Sequence, residues 1–110
     1  MTSINGRWSH RICRDGATAT VALSGELDMT ADPALTALLT AELDHPGTEE
    51  VRADLHAVTF IDSWTISTLV RTYRAAHAGG RRFVVTQPHG HVRRVLDVAG
   101  VLATLTAPPA

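Results

Sequence analysis

The chain has 110 residues, 45% of them hydrophobic and 19% charged, with a formal net charge of −1. That length fits one domain with a real core, and the near-zero charge supplies no field to recruit nucleic acid or an anionic membrane surface. A single cysteine, Cys13, excludes an internal disulfide, and no apolar run reaches the length of a membrane helix.

The ten basic residues are all arginine, with local pairs at Arg81-Arg82 and Arg93-Arg94. The opening Met1-Thr2-Ser3-Ile4-Asn5-Gly6-Arg7 lacks the apolar centre of a signal peptide, so a soluble cytoplasmic domain is expected. That domain is read over 8–105, with residues 1–7 and 106–110 as flexible termini.

Trp8–Arg14 and Ala17–Leu23 read as strands around Asp15-Gly16, a strong hairpin signal. Gly25 to Asp28 reads as a loop. Asp32-Pro33 then opens a helix, with Asp32 as N-cap and Pro33 at the first helical position. Leu35, Leu38, Leu39 and Leu43 follow at helical spacing, and His45-Pro46-Gly47 stops them.

Val51, Ala53 and Leu55 alternate with polar residues as in a strand, and Val58, Phe60 and Ile61 extend it. His56 is placed in a turn. The next helix starts at Asp62-Ser63 and ends at Gly79-Gly80. Its core face is read as Ile66, Leu69, Val70, Tyr73 and His77. At about 100° per residue, Trp64, Thr68 and Arg71 then point outward.

Phe83-Val84-Val85 suits a strand covered on both sides. Val92, Val95, Leu96 and Ala99 mark a third helix ended by Gly100, and Val101–Leu105 a final strand or packed tail. The alternation gives an α/β class: a mixed, mostly parallel sheet of four to five strands with amphipathic helices and an N-terminal hairpin.

The chemistry concentrates at Asp62-Ser63. Ser63 reads either as a plain N-cap or as a phosphoacceptor, because free backbone N–H groups and the positive end of the helix dipole stabilise a phosphate there. An exposed Trp64 near Arg71 has the composition of a binding hot spot. Asp28 and Asp62 read as loop caps or as an acidic pocket around the hydroxyl. His89-Gly90-His91 has no cysteine and no third ligand nearby, so no metal and no cofactor are expected. No phosphate loop, nucleophile elbow or Ser-His-Asp set is present, so no enzyme is expected.

Four blocks carry a family resemblance: Gly25-Glu26-Leu27-Asp28, Asp54 to Ser63, Gly79-Gly80, and Val92 to Val101. In order and spacing they resemble the STAS domain, more narrowly the bacterial anti-sigma-factor antagonists, from about Trp8 to Leu105. The resemblance implies a cytoplasmic protein that binds an anti-sigma factor, itself a serine kinase, and so frees a sigma factor. It implies phosphorylation of Ser63, with Asp62 and Asp28 beside it, and reversal by a metal-dependent serine phosphatase. Nucleic acid and membrane are not expected partners.

The family pattern Asp-Ser-(Ser/Thr)-Gly-Leu is replaced here by Asp62-Ser63-Trp64-Thr65-Ile66. Thr65 in place of glycine removes backbone freedom, and Trp64 replaces a small polar side chain. The expected partner surface comprises Asp28, Asp62, Ser63, Trp64, Thr65, Thr68 and Arg71. The alternative is an unphosphorylated STAS scaffold or adaptor in a signalling or transport assembly.

Overall fold

The hairpin forms where the Asp-Gly signal lies. Strand β2 (Trp8–Asp15) pairs antiparallel with β3 (Thr18–Leu27), Asp15 opposite Thr18, and Gly16 turns the chain at φ 62°. In this computed structural model, residues 2–4 and 7–106 are described. Thr2–Ile4 form an edge strand, β1, antiparallel to β2. This part of the expected flexible N-terminus is therefore a strand, and its ladder covers backbone groups that β2 would otherwise leave open. Residues 1, 5, 6 and 107–110 of the expected flexible termini lie outside the described residues.

A one-turn 3₁₀ helix (Met29–Ala31) leads into α1 (Asp32–Asp44). That extra turn moves the helix start. Asp32 is the first helical residue instead of the cap, and Asp28 caps the 3₁₀ turn. Then come β4 (Glu50–Ile61), α2 (Ser63–Ala78), β5 (Arg82–Thr86), α3 (Gly90–Val98) and α4 (Leu102–Thr106). The segment expected as a last strand or packed tail is thus a short helix. Val101, Leu102 and Leu105 have helical spacing, and Leu105 is buried.

The sheet runs β1-β2-β3-β4-β5, with β3–β4 and β4–β5 parallel. It is the mixed sheet the strand–helix alternation implies. Both crossovers, through α1 and α2, step in the same direction, so right-handed connections place both helices on one face. The core joins Val21, Leu23 and Leu27 of β3 and Val51 and Leu55 of β4 to Leu35 and Leu39 of α1. Leu69 of α2, Leu96 of α3 and Leu105 of α4 complete it.

β4 carries two irregularities. The pairing shifts between Ala22 and Ser24, where Leu55 and His56 take the place of one residue, and again between Gly25 and Glu26. His56 is therefore inside the strand, not in a turn. At the second shift Thr59 is the extra residue, which turns Phe60 outward and Ile61 inward. Gly25 is fixed here by contact. Its φ is +91°, and a Cβ would stand 2.1 Å from the Arg7 carbonyl oxygen.

Candidate functional site

The C-terminal ends of β3 and β4 lie side by side and deliver Asp28 and Asp62-Ser63 to the same edge, where open α/β sheets bind ligands. Asp62 is the N-cap of α2. Its Oδ1 accepts the Thr65 N–H at 2.9 Å, and its Oδ2 accepts the Met29 N–H at 3.0 Å. One carboxylate thus closes α2 and ties it to the β3–α1 connection. Ser63 is not the cap. It is the first residue of the helix, exposed, with capping done by its neighbour. Its hydroxyl is thereby left without a capping role at the positive end of the helix, where an anion is stabilised.

Asp28 does the equivalent task one element earlier. Its Oδ1 accepts the Thr30 N–H at 2.9 Å and the Thr30 hydroxyl, and its Oδ2 accepts from Arg7 Nη1 at 2.7 Å. The Thr30 hydrogen bonds, with Arg7 adding to them, hold the Asp28 carboxyl below its ordinary value. Asp28 and Asp62 are brought together, but as the two ends of a bracket around Met29.

Two residues expected on the partner surface are inside. Thr65 is 2% exposed and Thr68 1% exposed. The buried stripe of α2 is Thr65, Thr68, Leu69, Thr72 and Ala76, rotated by one residue, about 100°, from the apolar reading. Threonine hides its polarity when its hydroxyl has an acceptor, and each of these does. Thr65 Oγ1 donates to the Leu27 carbonyl at 2.8 Å, Thr72 Oγ1 to the Thr68 carbonyl at 2.8 Å, and Thr68 Oγ1 to the Asp32 carboxylate. In the place of the family's glycine, Thr65 therefore bolts the first turn of α2 to the end of β3.

Asp32 gathers Thr68, Thr36 at 3.0 Å and Arg71 at 3.3 Å. Its carboxyl is held below the ordinary range, first by Thr68, then by the Trp64 indole, Thr36 and Arg71. Arg71 is exposed, as expected, and is paired to Asp32. Trp64 is 50% exposed, which agrees with its expected outward position.

Residues that the sequence analysis did not assign to the partner surface join this edge. Met29 is 60% and Phe60 39% exposed, and both line a groove of about 390 Å³ with Arg7, Glu26, Asp28 and Asp62. His91 stacks on Phe60, with ring centres 5.5 Å apart and planes 8° apart. His89 Nε2 donates to the His56 carbonyl at 2.6 Å. Phe60 was hidden because two-residue alternation puts it on the side of Val58, and only the Thr59 irregularity reverses it. Met29 follows Asp28 directly and had no periodic partner to mark it.

Among the described residues, no three His, Cys, Asp or Glu side chains gather as a metal site, and no helix is long and apolar enough to cross a membrane.

Known proteins share this fold. The chain matches the family described as "Mlab, STAS domain" over residues 10–106. A crystal structure of an anti-sigma factor antagonist from Mycobacterium paratuberculosis superposes with a TM-score of 0.79 at 25% identity, covering 91% of this chain and 83% of that one. The anti-sigma factor antagonist SpoIIAA, in its unphosphorylated form, gives 0.76 at 20% identity, covering 92% and 88%. A murine solute carrier, the anion transporter Slc26a9, gives 0.70 at 16% identity, covering 81% of this chain and 15% of the transporter. Among curated proteins, none matches. The matched family profile spans most of the sequence, from the middle of β2 to the end of α4, and on it the chain belongs to the STAS domain family.

Proposed function

We propose that this protein is an anti-sigma-factor antagonist. It binds an anti-sigma factor that is also a serine kinase, frees a sigma factor, and is switched by phosphorylation of Ser63. The observation that carries the reading is the division of labour at Asp62-Ser63. Asp62 caps the helix with one carboxylate oxygen and ties it to Met29 with the other, which leaves an exposed Ser63 hydroxyl at the positive end of a 16-residue helix. Likeness to the Mycobacterium paratuberculosis antagonist supports the role, and SpoIIAA has this fold in both its unphosphorylated and phosphorylated forms.

In this account the kinase transfers the γ-phosphoryl group of ATP to the Ser63 oxygen, and a metal-dependent phosphatase removes it by hydrolysis. The protein contributes recognition, not catalysis, and acts in the cytoplasm. The partner covers Asp28, Asp62, Ser63, Trp64 and Arg71 together with Met29 and Phe60. A phosphate on Ser63 weakens the complex, because its bulk and bound water keep the partner from closing over exposed Met29, Phe60 and Trp64. The test is capture of the partner kinase on the immobilised protein, incubation of the pair with ATP, and phosphosite mapping. Phosphate on Ser63, absent in Ser63→Ala, supports the reading.

The second reading, an unphosphorylated adaptor, draws on the likeness to a domain of the transporter and on Trp64 and Thr65 in place of the family's small residues. Stable capture of a partner assembly with no phosphate on Ser63 supports it instead.

A further inference from the structure

Among the described residues, Met29, Phe60, Trp64 and Val98 are the large apolar side chains left exposed, and the first three surround the Asp62-Ser63 edge. Met29 and Phe60 form apolar walls of the groove, and His91 stacked on Phe60 holds that ring in place. The remaining lining is Glu26, Asp28, Asp62 and Arg7, three carboxylates against one guanidinium.

The occupancy of these groups is uneven. Both Asp62 oxygens are taken by backbone N–H groups, and one Asp28 oxygen by Thr30. The other Asp28 oxygen faces Arg7 Nη1 at 2.7 Å, and Glu26 Oε1 faces Arg7 Nε at 3.7 Å. The groove thus already holds one guanidinium, and holds it loosely. The Arg7 side chain is 63% exposed, and such pairs contribute little.

We propose that the groove is the docking site for an arginine side chain of the partner, and that Arg7 is an internal stand-in which the partner arginine displaces. This rests on reading the face as partner-binding. An excess of two negative charges in the lining favours a cation. The planar fork of a guanidinium suits two carboxylates, and its face and stem suit an apolar wall such as Phe60 and Met29. A partner arginine brings neighbouring side chains to cover Met29 and Trp64, which Arg7 does not.

The experiment is a titration of the ¹⁵N-labelled protein with the peptides acetyl-Leu-Arg-Leu-amide, acetyl-Leu-Gln-Leu-amide and acetyl-Leu-Glu-Leu-amide, read from amide shifts. The arginine peptide should move Asp28, Met29 and Phe60, and the other two should not. Arg7→Gln should tighten the arginine peptide at least threefold by removing the competitor, and Glu26→Gln should weaken it. Unchanged or weaker binding in Arg7→Gln, equal shifts from the three peptides, or shifts at these residues on concentrating the protein alone, which signal a second copy in the groove, would each overturn the proposal. The peptides carry no kinase, so a negative phosphosite map with a positive titration removes the switch and leaves the groove.

Discussion

Thr65 gives the sharpest test of how the site is held. Thr65→Val keeps the size and the β-branch of a residue only 2% exposed and removes one hydroxyl. The lost bond is the 2.8 Å donation to the Leu27 carbonyl, across 38 residues of chain. A hydrogen bond of this kind contributes about 0.5–1.5 kcal/mol net, and a buried acceptor left alone costs about 1–3 kcal/mol. The Leu27 carbonyl sits at the end of a strand, so about 1–2 kcal/mol is expected. For a domain of this size that is a drop of roughly 5–10 °C in Tm. Chemical denaturation and calorimetry measure it, with exposed Ser67→Ala on the same helix as the control, expected within about 0.5 kcal/mol. A Thr65→Val protein as stable as the wild type would refute the claim that this hydroxyl bolts α2 to β3.

Leu69 is fully buried at the centre of α2, so Leu69→Ala should cost about 2–5 kcal/mol in denaturant titration. Trp64→Ala should cost only about 1 kcal/mol of stability, since half of the residue is already in water, yet weaken partner binding by at least ~2 kcal/mol in calorimetric titration. Burial holds the His10 imidazole below its ordinary value, and its Nδ1 has no hydrogen-bond partner. The unfolded chain therefore takes up a proton at His10 from about pH 6.5 downward, before the folded protein does. Stability falls with pH from there until the folded value is passed, and His10→Gln should flatten this part of the profile.

The sequence was informative where physics leaves a local mark. Asp15-Gly16 marks a turn, Gly79-Gly80 stops α2, and the apolar run 83–85 is a covered strand. It was silent where a residue's role is set across the chain. Thr65 and Thr68 look like surface residues because threonine carries no apolar signal, but Leu27 and Asp32 supply the acceptors that let them be buried. Asp62 rather than Ser63 caps α2 because Asp62 alone reaches Met29 as well as Thr65. The 3₁₀ turn before α1 displaced the Asp32 cap, and the extra Thr59 hid Phe60. Asp28, Asp62 and Ser63 were legible because they stand in the blocks that resemble the family, and the ends of β3 and β4 place them at one sheet edge. Arg7 and Met29 were not, because nothing near them in sequence announces the groove.

The central claim is that Ser63 switches partner binding. The direct measurement is the affinity of the captured anti-sigma factor for the wild type, for Ser63→Ala and for the protein phosphorylated on Ser63, by calorimetric titration. The account predicts that Ser63→Ala binds like the wild type, because a small exposed hydroxyl contributes little, and that the phosphorylated form binds at least tenfold more weakly, about 1.4 kcal/mol. Equal affinities for all three would contradict it.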